Sequence, residues 1–214
     1  MNQESSINSE VVVRAQGAIV TGAVGHIEAA KLTATTKPLT VGSDIPHVNI
    51  LDLNGESKEL HSIIDSKPTI IVFYRGGWCP FCNVHLADLG NVEKDLQDLG
   101  FQIIGISPDI SEEITKTKDT YQLPYLLFSD TKAESMQKFG VAFRVDDATF
   151  TDYKDNYKID LEKASGERHH ILPVPSVFIV NSRGKITYVH SNPDFKVRMK
   201  GTELVAAAMA SLGK

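Results

Sequence analysis

Apolar residues along this chain follow two rhythms. Short runs rich in β-branched and aromatic residues at 69–74, 101–107 and 125–128 read as buried strands. Two more, at 177–180 and 185–190, flank the turn Asn181-Ser182-Arg183-Gly184. After residue 79 the spacing changes to threes and fours. Cys82, Leu86, Leu89, Val92, Leu96 and Leu99 share one helix face while Asp88, Glu93, Lys94 and Asp98 take the other, which predicts a helix over 79–99. Ser111 is placed to cap a helix over 112–121, Thr131 and Glu134 form a capping box ahead of a helix stopped by Gly140, and Thr202 is placed to cap a final helix through 210. Strand, helix and strand at this spacing make a βαβ unit with parallel strands and a right-handed crossover. The fold class is therefore α/β: a central mixed sheet, mostly parallel with a terminal antiparallel hairpin, and helices on both faces.

Two regions are read differently. Residues 1–38 form an N-terminal helical extension and linker, with mixed helical pattern and then a polar Thr33-Ala34-Thr35-Thr36-Lys37 stretch, ahead of one domain over 39–214. Residues 141–170, rich in Asp, Lys and Tyr, read as a solvated insertion, with a lid or a dimer contact as the functional alternative.

Composition narrows the setting. The 214 residues carry 42% apolar and 23% charged side chains, the proportions of an ordinary globular protein. A formal charge of −5 and the lack of a basic run argue against nucleic acid or an anionic membrane as partner. No apolar stretch reaches the ~18 residues of a membrane span, and the start carries an acid but no basic head of the kind a secretory leader needs. The two cysteines are spaced as a motif rather than a disulfide framework, which points to the cytoplasm.

Both cysteines lie in Trp78-Cys79-Pro80-Phe81-Cys82, at the junction of the 69–74 strand and the following helix. Pro80 suits the first helical position, so Cys79 becomes the N-cap and Cys82 falls in the first turn, near enough for a Cys79–Cys82 disulfide. Unpaired amides and the positive end of the helix dipole favour a thiolate there. Cys79 is accordingly expected to be the more exposed thiol, with the lower pKa and its sulfur accepting the Cys82 amide, whereas Cys82 begins the apolar stripe. Two other readings stand beside redox chemistry. The pair can be buried hydrophobes, or zinc ligands together with His85 and either His169 or His170.

The strand, Trp78-Cys79-Pro80-Phe81-Cys82 and the helix resemble thioredoxin-fold proteins. The wider pattern is similar to peroxiredoxins of the alkyl hydroperoxide reductase and thiol-specific antioxidant family, in a branch with Tyr74-Arg75-Gly76-Gly77-Trp78-Cys79-Pro80-Phe81-Cys82. Supporting blocks are 41–46, Gly105-Ile106-Ser107-Pro108-Asp109, 172–180 and Asn192-Pro193-Asp194-Phe195. The resemblance implies a thioredoxin-like fold and a cis Val174–Pro175 bond facing the sulfurs, leaving the Val174 backbone open to a thiol-bearing substrate. In the family's register Cys82 is the attacking cysteine, Cys79 replaces a threonine and Arg75 a proline. Its later active-site arginine has only Arg144 and Arg168 as candidates. In thioredoxin's register Cys79 is the nucleophile, but that family's buried acid falls on Phe73. Arg75, on the loop four residues before Cys79, is placed either to stabilise a thiolate or to pair with a surface acid, the second being favoured; Trp78 is expected to shield the disulfide or fill space, and His85 to be solvated or packed rather than a base.

The resulting expectation is a thiol-based antioxidant oxidoreductase that reduces hydrogen peroxide or small organic hydroperoxides through Cys79 and Cys82, without organic cofactor or metal. Thioredoxin, glutaredoxin or a low-molecular-weight thiol would be the reductant, and a homodimer is left open. A protein disulfide reductase and a redox-controlled binding module without turnover are the alternatives.

Overall fold

The structure, a computed structural model, describes residues 35–65 and 67–213. Of the expected N-terminal extension, residues 1–34 lie outside the described residues.

The strands are β1 Asn49–Leu51, β2 Ser57–Glu59, β3 Thr69–Phe73, β4 Gln102–Ser107, β5 Leu126–Ser129, β6 Ala142–Arg144, β7 Ile171–Pro173, β8 Ser176–Val180 and β9 Ile186–Ser191. The helices are α1 Leu60–Ile64, α2 Pro80–Asn91, α3 Glu93–Asp98, α4 Ser111–Thr120, α5 Glu134–Lys138, α6 Asp147–Asp155, α7 Leu161–Ser165 and α8 Gly201–Ser211.

β3 is buried throughout and apolar from Ile70 to Phe73, as a strand covered on both faces must be. Ile70 and Val72 join one core with Leu86 and Leu89 of α2, Leu96 of α3, Ile114 of α4 and Leu204 of α8. Ile71 and Phe73 join the other with Leu60 of α1, Met136 of α5 and Phe139. Helices on both faces of a mixed sheet are thus as the apolar pattern requires. The seven strands run β2-β1-β5-β4-β3-β8-β9, but only β3–β4 and β4–β5 are parallel. The sheet is less parallel than expected, because the short-turned hairpins β1–β2 and β8–β9 add antiparallel pairs at its two ends.

Several local expectations are corrected by side chains. The 79–99 helix breaks at Val92 (φ −107°, ψ 3°) into α2 and α3. Ser111 does not cap α4; its hydroxyl donates to the Asp52 carbonyl at 2.8 Å, and Ile110 takes the cap position. Asp130 rather than Thr131 satisfies the start of α5, accepting the Glu134 and Met136 amides at 2.9 and 3.1 Å. α8 starts at Gly201, with the Lys200 amide donating to Glu203 at 2.8 Å, so Thr202 lies inside the first turn.

The 141–170 region is not merely solvated. β6 pairs with β7, and Phe143, Val145, Leu161, Leu172 and Val174 form a third cluster flanked by Trp78, Phe150, Tyr153 and Ile159. Two of its aspartates, Asp146 and Asp160, are N-caps, accepting the Thr149 amide at 2.8 Å and the Lys163 amide at 3.1 Å.

Gly140 ends α5 at φ +73°, as its position suggested, and a Cβ there would stand 1.9 Å from the Lys37 carbonyl oxygen. The 37–39 segment is held by that closeness, with Lys37 donating to Gly140 and Leu39 to Phe139, both at 3.0 Å. Gly140→Ala combines left-handed strain with a backbone clash and should cost about 1–3 kcal/mol. Urea unfolding followed by circular dichroism checks this; a midpoint unchanged from wild type would contradict it.

Candidate active site

The loop between β3 and α2 is built around two glycines. Gly76 sits at φ +144°, and a Cβ there would lie 2.3 Å from Trp78 Nε1 and 2.7 Å from Asp109 Oδ1. One at Gly77 would lie 1.9 Å from Thr117 Oγ1. The loop therefore passes over its neighbours at a distance only glycine permits. Three hydrogen bonds fix it: Cys79 N to Gly76 O at 3.1 Å, Gly77 N to Asp109 Oδ2 at 2.7 Å and Asn83 Nδ2 to Gly77 O at 2.7 Å. Pro80 opens α2 and Cys79 is its N-cap (φ −92°, ψ 109°), as the sequence indicated. The expected hydrogen bond from the Cys82 amide to the Cys79 sulfur is not made in cap geometry.

Both thiols are free and buried, Cys79 at 2% and Cys82 at 1% exposure, so Cys79 is not the appreciably more exposed of the two. What separates them is access and charge. Cys79 lines a cavity of about 50 Å³ walled by Arg75, Trp78, Phe81, Tyr153 and Phe195, which Cys82 does not line. Burial opposes ionisation of Cys79 most strongly. The Cys82 thiol as hydrogen-bond partner, then the charges of Arg75 and Arg198, outweigh it and bring the Cys79 pKa down to about 6. Burial and the adjacent Cys79 push Cys82 well above the ordinary thiol range.

Arg75 does not meet a surface acid. It is 3% exposed, donates through Nη2 to the Tyr153 hydroxyl, and lies 4.6 Å from the Phe195 ring centre and 5.3 Å from that of Trp78. The Tyr153 and Trp78 rings are 6.1 Å apart, so the 141–170 region supplies one wall of the site. Arg198, which the sequence did not single out, brings Nη2 to 3.4 Å from Cys82 Sγ, while its Nε and Nη1 are buried without a partner. Arg144 instead pairs with Asp147 at 2.9 Å on the surface, and Arg168 is exposed. Arg198 is 116 residues from Cys82, and no local pattern marks it.

His85 is packed, and burial together with the Arg198 charge holds its pKa down to about 3, so its ring is neutral. His169 and His170 are engaged elsewhere, at 2.6 Å from the Thr131 carbonyl and stacked on Phe150 at 3.9 Å respectively. Among the described residues the one close group of metal-ligating types is His47, Glu59 and His61. Its imidazoles stack at 4.2 Å, and His47 Nδ1 lies 3.1 Å from Glu59 Oε1.

The cis Val174–Pro175 bond is not found: every described peptide bond is trans. Val174 N donates to the Val141 carbonyl at 2.8 Å, and the Ser176 hydroxyl donates to Val174 O at 2.8 Å. The backbone expected to receive a substrate is thus already paired, and Val174 is buried in the third cluster.

No carboxylate stands at Phe73, and a buried one lies beneath the loop. Asp109, just past β4, is 1% exposed, and burial pushes its pKa up to about 7 even though one oxygen accepts the Gly77 amide. The other oxygen lies beside the Trp78 indole N–H, against the Gly76 backbone.

Comparison with known proteins agrees with this architecture. The model of the AhpC/TSA family matches residues 41–189. A protein described as putative peroxiredoxin bcp from Haemophilus influenzae is 29% identical over 104 residues, 49% of this chain and 66% of that protein. The chain spans about two thirds or less of the length of the curated relatives it matches. Among solved structures, peroxidoxin BcpB from Mycobacterium tuberculosis superposes with a TM-score of 0.62 at 17% identity, covering 80% of this chain and 97% of that one. Reduced Prx3 from Vibrio vulnificus in complex with hydrogen peroxide gives 0.65 at 14% identity, covering 79% and 99%. These likenesses establish the thioredoxin-like fold.

The charges around Cys79 set its reactivity directly. Iodoacetamide alkylation of Cys79 should rise with pH through an inflection near 6. Arg75→Gln should move that inflection up by about one unit or more, because a buried thiolate loses the stronger of the two guanidinium charges acting on it. The depressed pKa also favours the folded reduced protein above the thiol's unfolded pKa, and that contribution is lost as pH falls through 6. Cys79→Ser should abolish this component of the pH-stability curve; equal curves for the two proteins would contradict it.

Proposed function

Because the chain belongs to the AhpC/TSA family, we propose that it is a thiol peroxidase in which Cys79 attacks and Cys82 resolves. The observation that carries this reading is that the acidified thiol, rather than its neighbour, lines the cavity beside Arg75. A volume of about 50 Å³ suits the O–O end of a hydroperoxide, since one water takes roughly 30 Å³ in the liquid. The Cys79 thiolate attacks the terminal peroxide oxygen, the O–O bond breaks, and the departing alkoxide or hydroxide leaves with a proton. Cys79 becomes a sulfenic acid. Cys82 then displaces its hydroxide to form the Cys79–Cys82 disulfide, which a cellular dithiol or small thiol reduces by exchange.

The substrate is hydrogen peroxide or a small organic hydroperoxide, and the reductant is thioredoxin, glutaredoxin or a low-molecular-weight thiol. The walls of the cavity, Trp78, Tyr153 and Phe195, favour a small or apolar R group. Reduction by a bulky thiol requires these walls to part. The disulfide-reductase alternative has less support, because the Val174 backbone that would bind an extended thiol substrate is already hydrogen-bonded.

The test is stopped-flow reaction of the reduced protein with hydrogen peroxide and cumene hydroperoxide. The expected outcome is peroxide-dependent loss of two thiols with an intramolecular Cys79–Cys82 bridge on mass spectrometry. Cys79→Ser should be inert, while Cys82→Ser should accumulate a dimedone-trappable sulfenic acid. A variant retaining only Cys82 that forms the sulfenic acid would reverse the roles, and a predominant intersubunit disulfide would overturn the cycle.

A further inference from the structure

The hairpin at one edge of the sheet gathers three side chains that the dithiol chemistry does not use. β1 and β2 pair antiparallel with Asn49 opposite Glu59, and the ladder continues one step beyond β2, where Leu60 N donates to Val48 O at 3.0 Å. The same register carries His47 against His61, with Glu59 two residues before His61. The two imidazoles accordingly stack with centres 4.2 Å apart, and His47 Nδ1 lies 3.1 Å from Glu59 Oε1. α1, which carries His61, packs on the sheet face opposite the dithiol: Leu60 belongs to the core of Ile71 and Phe73, Cys79 and Cys82 to that of Ile70 and Val72.

One donor atom from each of the three side chains lies within 4.8 Å of the other two. A zinc-type ion with bonds of about 2.0–2.2 Å holds tetrahedral donors roughly 3.4 Å apart, so the widest pair must close by about 1.4 Å at most. His47 can make that adjustment, because its side chain is 83% exposed. The other two are held in place. Glu59 Oε2 accepts the Ser62 amide at 3.1 Å as the cap of α1, which leaves Oε1 to face His47. His61 lies against the β8–β9 turn, where a Cβ on Gly184 would stand 3.4 Å from its Cε1, and its Nε2 is buried without a hydrogen-bond partner.

The donor set selects the ion. Two imidazole nitrogens and one carboxylate oxygen suit a borderline transition cation such as zinc, whereas magnesium and calcium take oxygen ligands. Coordination replaces the ring stack and the His47–Glu59 hydrogen bond, both at an exposed side chain. The neighbouring ammonium of Lys138, which donates to the His47 carbonyl at 2.9 Å, is already paired with Glu134 at 2.9 Å.

We propose that His47, Glu59 and His61 form a binding site for a divalent cation of the zinc type, with three protein ligands and a fourth position left to water. The ion ties the segment before β1 to the start of α1. It therefore stabilises the folded chain and takes no part in the chemistry of Cys79 and Cys82.

The test is isothermal titration of the full-length chain with zinc chloride, in a background where both cysteines are serine so that no thiolate holds the ion. One equivalent should bind, and the thermal unfolding midpoint should rise with zinc concentration. His47→Ala removes an exposed ring, so without zinc its midpoint should stay within about 2 °C of the background. Its zinc affinity should fall about 10- to 100-fold. Glu59→Gln keeps an oxygen for the Ser62 amide but loses the charged donor, and should weaken zinc binding to a similar degree. Magnesium should give no response.

Absence of a one-to-one complex up to about 1 mM zinc overturns the proposal, a result that needs no ligand variant. Affinity unchanged in either His47→Ala or Glu59→Gln places the ion elsewhere on the chain and overturns it as well. A response to magnesium equal to that to zinc marks a non-selective carboxylate contact and has the same consequence.

Discussion

An ionised sulfur held out of water must be stabilised by fixed charges and dipoles, because desolvation of an isolated ion costs several kcal/mol even after relaxation. The architecture around Cys79 serves that need. The helix start supplies one source of stabilisation, but the sulfur is off the cap geometry and the amide ranks last among the influences on it. The larger contributions come from Cys82 and from two arginines remote from each other in sequence, Arg75 in the loop after β3 and Arg198 in the segment before α8. The walls that exclude water also strengthen these charges by lowering the local dielectric.

Burying a guanidinium raises the same difficulty with the opposite sign. Arg75 is accommodated by the rings of Trp78, Tyr153 and Phe195, contacts of a kind worth about 0.5–2 kcal/mol each. Tyr153 also accepts a hydrogen bond from it. This explains the form of the 141–170 region. Two of its aspartates cap short helices, its apolar residues join a small third core, and Tyr153 on the first of those helices lies against Trp78 and Arg75. A charge-rich segment can therefore be a structural part of a dry site when its charges are spent on its own helix ends.

The loop beneath the sulfurs is equally constrained. Two consecutive glycines let the backbone cross Trp78, Asp109 and Thr117 at distances that any side chain would forbid. Asp109 and Asn83 then hold the Gly77 peptide from both its ends, one accepting from its amide and the other donating to its carbonyl. Rigid placement of the first helical turn holds Cys82 3.4 Å from the Arg198 guanidinium and Cys79 against the cavity beside Arg75, the kind of preorganisation that charge stabilisation depends on.

How much of this was legible depended on the range of the interaction. The buried strand β3, the helix that follows it, the N-cap position of Cys79 and the apolar stripe from Cys82 through Leu96 are set by residues within a few positions of one another, where period and capping chemistry act. The same locality explains the near misses at Ser111, Thr131 and Thr202. Each is a competent cap, but a side chain or backbone group closer in space took the position. The lower pKa of Cys79 followed from the sequence, although its main cause did not, since the guanidiniums outrank the amide. Arg198, Asp109 and Tyr153 reach the site from a distant loop, a neighbouring strand end and a helix of the 141–170 region. The pairing of Val174 with Val141, which leaves no open backbone beside the sulfurs, likewise joins separate elements. Such contacts exist only once the sheet has brought remote segments together, because electrostatic and hydrogen-bond partners are chosen by distance in space, while periodicity records only which face of an element is buried.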